Sequence, residues 1–325
     1  MLADTTSLRM VLRGMLTAAA LAAVASPSHA LKILLVNDDG CTAPGANVLA
    51  DALEAKGHTV QMYAPASDQS GQGSRATVIS SSCLSITFGI SQTDLSNAST
   101  SAPNRLCVTA VSAGCSAPFP PPIIADGQPV SASPFDCALV GLQKMTGNEK
   151  PDLVVSGINR GENVGMVANN SGTVSAAVAA IRNGVPGIAV SLGFPNPASL
   201  YPAAAQVVVN VIERLQQEAK GGPLLPPQTG LNINYPGAGS PKGILYTNVG
   251  TFSTISIGPR VQTDGSVKIE FAFNNTPQGT PVSQITDEGI ALREGYVSIS
   301  TIDGDWNAVR APREDVKLRL NGITP

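Results

Sequence analysis

The polar residues that follow the first apolar stretch offer the clearest chemistry in this chain. The run LKILLVNDDG places a strand-forming segment directly before Asn37, Asp38, Asp39 and Gly40. A buried parallel strand that ends in this way can open into a metal or phosphate site. A turn at Gly40 would let both carboxylates face one hard cation, such as Mg²⁺ or Mn²⁺. An isolated Asp-Asp-Gly is more often an Asx turn, so its meaning depends on the remaining groups.

Three other places carry groups that suit the same chemistry. Ser70 lies in a polar, glycine-rich loop and offers a hydroxyl ligand, and Asn159 follows a short apolar strand and offers an amide oxygen. Ser171-Gly172-Thr173 opens a helix, where free backbone N–H groups and the positive end of the helix dipole favour a phosphate. Each of these is weak alone. Together they fall at strand ends or helix starts of one predicted sheet, where ligands converge.

Composition and missing residue types exclude several other functions. The net charge of −3 leaves no basic surface for a long nucleic acid. His58 would be the only histidine after removal of a leader peptide, which argues against a Ser-His-Asp triad and a His-ligated zinc site. No cysteine has an arginine six residues later, which excludes thiolate phosphatases. Hydrolysis would therefore depend on carboxylates, hydroxyls, amides and metal.

The hydrophobic pattern predicts an α/β fold, a Rossmann-like three-layer sandwich with a mostly parallel sheet. A strand ending near Val36, a helix starting at Pro44 and a strand over 59–64 form a β-α-β unit. Ser133 caps a helix that runs to about Met145. We further expect strands at 153–155 and 187–192, a helix capped by Ser171, and a helix centred on 207–215.

Two regions depart from this alternation. Residues from about 91 to 122 are dense in Ser, Thr, Asn and Pro, and we expect an irregular insertion there. Short strands at 231–235, 244–249, 267–273 and 296–302 have hairpin-like spacing, so we expect an antiparallel C-terminal extension with its hairpin at about 242–275. Among the five cysteines, Cys107 and Cys115 are the favoured disulfide pair, and Cys41 is expected to be a small buried residue.

The first thirty residues have the pattern of a cleaved secretory signal. Arg9 and Arg13 precede a short apolar run over 15–24, and Ser28-His29-Ala30 ends in a small residue. This run is shorter than the roughly 20 residues needed to cross a bilayer. We therefore expect an exported, periplasmic or secreted protein with no membrane span and a single domain over 31–325.

Several stretches of the chain resemble the SurE-type survival proteins, a family of metal-dependent nucleotidases and acid phosphatases. The similar segments cover 31 to about 301 apart from the insertion, and the most specific ones are ILLVNDDGCTAPG, PDLVVSGINRGENVG and NSGTVSAAVAAIRNGVPGIAVSL. The resemblance implies that one divalent cation is held by Asp38, Asp39, Ser70 and Asn159. It also implies that the phosphate position is lined by Asn37, Asn163, Ser171, Gly172 and Thr173.

The signal and the cysteine-bearing insertion make the chain similar to the exported branch, whose members act as broader acid phosphatases. We expect a phosphomonoesterase in which Asp38 or Asp39 also acts as the base, with nucleoside monophosphates favoured over other small phosphomonoesters. The family resemblance implies a homodimer or homotetramer. Two alternatives remain: a non-catalytic exported protein that binds phosphate or nucleotide, and a haloacid-dehalogenase-like phosphatase that uses Asp303.

Overall fold

A computed structural model describes residues 29–76, 85–92, 104–113, 129–145, 150–274 and 278–304. Strands alternate with helices along most of this part of the chain. The strands are β1 Lys32–Val36, β2 Thr59–Pro65, β3 Ser85–Gln92, β4 Arg105–Ala113, β5 Pro129–Ser131, β6 Leu153–Arg160, β7 Gly187–Leu192, β8 Thr229–Tyr235, β9 Ile244–Thr247, β10 Ile255–Val261, β11 Val267–Phe273 and β12 Val297–Asp303. The helices are α1 Pro44–Ala55, α2 Pro134–Met145, α3 Gly172–Arg182, α4 Tyr201–Ala219 and α5 Glu288–Arg293.

One mixed sheet organises the described residues. Its strand order is β3-β4-β2-β1-β6-β7-β8-β12-β9, with β5 paired to β4 at one end. The pairs from β4 through β8 are parallel, whereas β12 runs antiparallel to β8. The carboxyl ends of β1, β6, β7 and β8 therefore meet at one edge, which is where α/β proteins place ligands.

Helices cover both faces of this sheet, as the predicted three-layer sandwich requires. On one face Ile33 and Leu35 of β1 pack with residues of α1 and α4. On the other face Leu34 and Val36 pack with residues of α2 and α3. Alternate residues of the same strand are thus buried on opposite sides, so all four residues after Lys32 are apolar. Within the described residues no helix is long and apolar enough to cross a membrane.

The expected irregular insertion is wrong for residues 91–92, which end β3, and for residues 105–113. Residues 105–113 form β4, which pairs in parallel with β2 and antiparallel with β3. At its first residue, the fully buried guanidinium of Arg105 donates to Asp51 Oδ1 and Glu54 Oε2 of α1 at 3.0 and 2.9 Å. This ion pair and the pairing with β2 link parts of the chain about fifty residues apart, so local composition does not reveal them. Residues 93–103 and 114–122 of the insertion lie outside the described residues.

The expected C-terminal extension is only partly correct. The isolated hairpin comprises β10 and β11, and β10 lies outside the strands that the sequence predicts. By contrast, β8 continues the parallel sheet beside β7, and β9 pairs in parallel with β12. The reason is that α4 provides a crossover from β7 to β8, which makes a further β-α-β unit rather than a hairpin.

The favoured disulfide pair is also wrong. Cys41 bonds to Cys107 across a Cα–Cα distance of 5.2 Å. Cys137, the third cysteine among the described residues, is buried and is bonded to neither of them. Cys107 lies beside Ala64 of β2 in the sheet register, and the backbone N–H of Cys41 donates to Pro65 O at 2.7 Å. The long-range pairing of β4 with β2 thus brings the two cysteines together. Cys115 and residues 1–28 of the expected leader lie outside the described residues.

Candidate active site

Asn37 and Gly40 form the turn that follows β1. Asn37 is fully buried, and its Nδ2 donates to Gly40 O at 2.8 Å. Gly40 has a φ of +103°, and a Cβ placed on it would lie 3.3 Å from the backbone carbon of Ser67. A side chain here would strain the backbone and press on the neighbouring loop, so glycine is required. This turn places Asp38 and Asp39 at the edge of the sheet where the parallel strands have their carboxyl ends.

Asp38 lies against the first turn of α3. Its Oδ1 accepts a hydrogen bond of 2.7 Å from Thr173 Oγ1, and only 3% of the residue is exposed. A Cβ on Gly172 would lie 3.0 Å from Asp38 Oδ2, so the glycine allows the carboxylate to approach the helix closely. A carboxylate in this position is favoured by the positive end of the helix dipole.

Asp39 reaches the end of β6. Its Oδ2 accepts a hydrogen bond of 2.9 Å from the backbone N–H of Arg160, whereas its Oδ1 is buried and has no hydrogen-bond partner among the described residues. The preceding residue, Asn159, uses its Nδ2 to donate to Gly161 O at 2.8 Å. The side-chain oxygen of Asn159 is therefore the atom suited to a cation. The structure thus places Asn159 next to the residue that holds Asp39.

The loop after β2 completes this side of the site. The backbone N–H of Gln69 donates to Asp38 O at 2.7 Å, which holds the loop against the aspartates. Ser70 is exposed, and its hydroxyl donates to Asp68 Oδ1 at 2.7 Å. A hydroxyl that donates one hydrogen bond keeps lone pairs for a cation, so this contact is compatible with the predicted role of Ser70.

Ser171 is confirmed as the N-terminal cap of α3. Its Oγ accepts a hydrogen bond of 3.1 Å from the backbone N–H of Val174. The helix therefore begins at Gly172, with Thr173 in its first turn beside Asp38. This arrangement brings the predicted phosphate-binding start of the helix to the predicted metal-binding carboxylates, although the two segments are 135 residues apart.

Asn163 has different neighbours from those of the other predicted site residues. Its Nδ2 donates to Ser191 Oγ at 2.8 Å, and its backbone N–H donates to Asn234 Oδ1 at 2.8 Å. Its carbonyl oxygen accepts from Asn232 Nδ2, which also donates to Glu288 Oε2. The side-chain amide of Asn163 thus belongs to a buried polar network behind the site, and its predicted contact with phosphate remains a prediction.

Asp68 and Arg160 are two nearby charged residues that the sequence reasoning missed. Arg160 Nη2 lies 3.4 Å from Asp68 Oδ2, and both side chains are largely exposed. Their positions were accessible in principle, because Asp68 lies two residues before Ser70 and Arg160 directly follows Asn159. The negative charge of Asp68 contributes to the raised pKa of both Asp38 and Asp39.

The two aspartates are held in an environment that opposes their charge. Burial, and then the neighbouring Asp39 carboxylate, raises the pKa of Asp38 to about 7. Burial also raises the pKa of Asp39, although the hydrogen bond from the Arg160 backbone opposes this effect. A divalent cation would offset the cost of keeping two buried carboxylates ionised.

The donor set fits a hard cation of this kind. Asp39 Oδ1 and Asn37 Oδ1 are buried oxygen atoms that find no hydrogen-bond partner in the part of the chain that the structure describes. Within the described ranges, no three His, Cys, Asp or Glu side chains form a group suited to a metal. The two carboxylates would therefore be supplemented by amide, hydroxyl and water oxygens, which suit Mg²⁺ or Mn²⁺ better than a soft metal.

Comparison with known proteins identifies the family. A sequence profile described as "Survival protein SurE" matches residues 33–255, which is more than half of the chain. The chain belongs to the SurE family. This SurE segment contains all nine predicted site residues and ends at Ile255, the first residue of the β10–β11 hairpin.

Individual SurE proteins are similar over most of the chain. A 5'-nucleotidase SurE of Desulforamulus reducens is 32% identical over 275 residues, covering 85% of this chain and 93% of the relative. A 5'-nucleotidase SurE of Xanthomonas campestris pv. campestris is 30% identical over 293 residues, covering 86% and 93%. The crystal structure of a SurE protein from Aquifex aeolicus matches with a TM-score of 0.64 at 26% identity, over 89% of this chain and 99% of that one. The mostly parallel α/β architecture is therefore that of the SurE fold.

His58 and Asp303, two other residues that the sequence analysis considered, lie away from the candidate site. His58 is buried, and its Nδ1 accepts from the backbone N–H of Leu31 at 3.2 Å, so it has a structural contact. Asp303 pairs with Thr229 at the amino end of β8. Asp38 follows the carboxyl end of β1, so the topology places Asp303 at the opposite edge of the sheet.

Proposed function

We propose that this SurE protein is a divalent-metal-dependent phosphomonoesterase that hydrolyses nucleoside monophosphates and, more broadly, small phosphomonoesters. The observation that carries the proposal is the meeting of Asp38 and Asp39 with Thr173 of α3 and the backbone of Arg160. These groups come from three separate segments and converge at one edge of the sheet. The related 5'-nucleotidases support the nucleotide as substrate.

Asp38, Asp39, Asn159 and Ser70 would hold the cation. When bound, the cation would polarise the phosphoryl oxygens and lower the pKa of a water molecule. The chain itself would position the phosphoryl group at the start of α3, where Ser171, Gly172 and Thr173 contribute helix N-terminal groups that favour an anion. The same groups would stabilise negative charge that develops during transfer. One of the two aspartates would accept the proton of the attacking water.

A phosphate-release assay with nucleoside monophosphates and aryl phosphates tests this function. We expect release with Mg²⁺ or Mn²⁺ and loss of release in excess chelator. Asp39→Asn should reduce the rate about a hundredfold or more, because it removes a charged ligand of the cation and a candidate general base, and general-base catalysis contributes about 10²–10⁴-fold. Asp264→Asn is a matched control, because Asp264 is an exposed carboxylate between the hairpin strands. Full activity in excess chelator would contradict the proposal.

The same assay separates this function from the two alternatives. Stoichiometric retention of a nucleotide without turnover would instead indicate a binding protein. The position of Asp303 at the opposite edge of the sheet predicts that Asp303→Asn retains the wild-type rate. A loss of turnover in this variant with an intact fold would support an aspartyl nucleophile.

Export, the broader acid phosphatase activity and assembly as a homodimer or homotetramer are part of the same proposal. The sequence of residues 1–30 supports export to the periplasm or the medium. The Cys41–Cys107 disulfide supports it further, because disulfides persist in oxidising compartments.

A further inference from the structure

Three phenylalanine rings form a cluster between the main sheet and the hairpin. Phe194 follows β7, while Phe271 and Phe273 lie two residues apart on β11 and so share one face of the hairpin. The three ring centroids are 5.8, 5.6 and 5.5 Å apart, and every pair is packed edge to face. We call these residues the phenylalanine trio.

The phenylalanine trio leaves aromatic surface uncovered. Because the centroids form a nearly equilateral triangle, the two neighbours of any ring cannot lie on its opposite faces. Each ring therefore keeps one face that the other two do not cover. Phe271 is 50% exposed and Phe273 is 59% exposed, so such surface is accessible from solvent.

This aromatic surface is next to the candidate active site. Phe194 Cζ lies 3.1 Å, and Asn159 Nδ2 3.9 Å, from the position that a Cβ would occupy on Gly161. The phenyl ring and the proposed metal ligand Asn159 are thus within about 7 Å of each other. The backbone N–H of Phe194 donates to the buried carboxylate of Glu162 at 2.9 Å. This bond holds the backbone of Phe194 against the segment that follows β6 and Asn159.

We propose that the phenylalanine trio is the stacking surface for the nucleobase of the substrate. This inference rests on the proposed function and adds a specificity site to it. A ribose ring separates the base of a nucleotide from its phosphate, so a base bound near this site would lie a few ångströms from the phosphate. Phe194, the ring of the trio within about 7 Å of Asn159, is close enough to the site to meet such a base. Aromatic faces stack on every base. This site would therefore favour phosphate esters whose leaving group carries an aromatic ring, without selecting one particular base.

The match to the SurE sequence profile does not include the whole phenylalanine trio. It ends at Ile255, so Phe271 and Phe273 lie beyond it. Specificity for the leaving group would thus depend on a part of the chain separate from the phosphate-binding residues.

The test is a change of substrate preference rather than a loss of rate. The Phe271→Leu/Phe273→Leu variant keeps apolar side chains on the hairpin but removes two rings. We expect the ratio of kcat/KM for adenosine 5'-monophosphate to that for glycerol 2-phosphate to fall about tenfold. This change corresponds to about 1.4 kcal/mol, which is within the range for stacking of a base on an aromatic residue. The change should lie in KM for the nucleotide. Phe271→Tyr/Phe273→Tyr should restore the preference, and Tyr246→Ala, an exposed aromatic on β9, should not alter it.

Each other outcome has a distinct meaning. An unchanged ratio in the Leu variant overturns the inference and leaves the phosphatase function intact. An equal loss on both substrates, with a change in molar mass by light scattering, also overturns it and assigns the trio to a subunit contact. If the wild type hydrolyses neither ester, the proposed function fails. Equilibrium binding of adenosine 5'-monophosphate and ribose 5-phosphate then decides the inference, which requires the Leu variant to weaken only the former.

Discussion

At the scale of single residues, Thr173 joins the two halves of the candidate site. Its hydroxyl is the side-chain donor to Asp38, a buried carboxylate whose pKa burial already raises to about 7. Thr173→Val keeps the shape of the side chain and removes this donor. Leaving a buried carboxylate without its hydrogen bond should lower the free energy of unfolding by about 1–3 kcal/mol.

Urea unfolding measures this effect, and phosphate release should fall in parallel. Ser175→Ala is the matched control on the same helix, because Ser175 Oγ accepts from Ser74 Oγ at 3.2 Å rather than from a site carboxylate. A Thr173→Val protein that is as stable and as active as the Ser175→Ala protein would contradict the role of this contact.

Glu288 provides a second prediction for a single residue. It is fully buried, Gly165 N–H donates to its Oε1 at 3.0 Å, and burial raises its pKa to about 8. The folded protein therefore retains a proton that the unfolded chain loses near its ordinary pKa of 4.5. The free energy of unfolding should accordingly fall as the pH rises from about 4.5 to about 8, with a slope of up to about 1.4 kcal/mol per pH unit from this group.

Denaturant unfolding at several pH values tests this linkage. Glu288→Gln replaces the protonated carboxyl by a neutral group of the same shape, so its stability should fall less steeply over that range. Asp38, Asp39 and Glu162 also have raised pKa values, but they remain in both proteins and cancel in the comparison. Parallel curves for the two proteins would show that Glu288 titrates normally.

At the scale of elements, local signals predict some boundaries well and others not at all. Helix α2 begins where Ser133 predicts, because Ser133 Oγ accepts from Asp136 N–H and Asp136 Oδ2 accepts from Ser133 N–H. Such caps are encoded within four residues. Strand β4 depends instead on the buried Arg105 and on pairing with β2, which are distant in sequence. Because these contacts are long-range, the local composition around β4 does not distinguish it from an irregular segment.

The Cys41–Cys107 disulfide links two such distant elements and makes a further prediction. It connects the turn after β1 to β4 across a sequence separation of 66 residues. Removing a cross-link of this size should lower the free energy of unfolding by about 2–4 kcal/mol, mainly because the unfolded chain gains conformational freedom. Guanidinium unfolding of Cys41→Ala/Cys107→Ala measures the loss.

A reducing agent gives the control for this double variant. It should destabilise the wild type by a similar amount more than it destabilises the double variant, because only the wild type contains the Cys41–Cys107 bond. An equal effect of the reductant on both proteins would assign the stabilisation to another bond.

At the scale of the whole molecule, the parallel topology makes the site partly predictable. Strand ends and helix starts of a parallel sheet share one edge, so Asp38, Asn159 and Thr173 could be expected near one another. The partners of Asn163 could not, because Asn232, Asn234 and Glu288 come from the region that the sequence assigns to a separate extension. The parallel pairing of β8 with β7 places Asn232 and Asn234 behind the site, and Asn232 donates to Glu288 of α5 there.

Because the proposed ligands come from the turn after β1, from β6 and from the loop after β2, cation binding should stabilise the whole fold. A ligand that binds only the folded state at a hundred times its Kd adds about 2.7 kcal/mol, which corresponds to a rise in Tm of roughly 5 °C. Thermal unfolding in increasing Mn²⁺ or Mg²⁺ measures this without any substrate. Asp39→Asn should lose the dependence on the cation, whereas Asp264→Asn, with the same change of charge between the hairpin strands, should keep it. An equal rise in all three proteins would mean that the cation binds elsewhere.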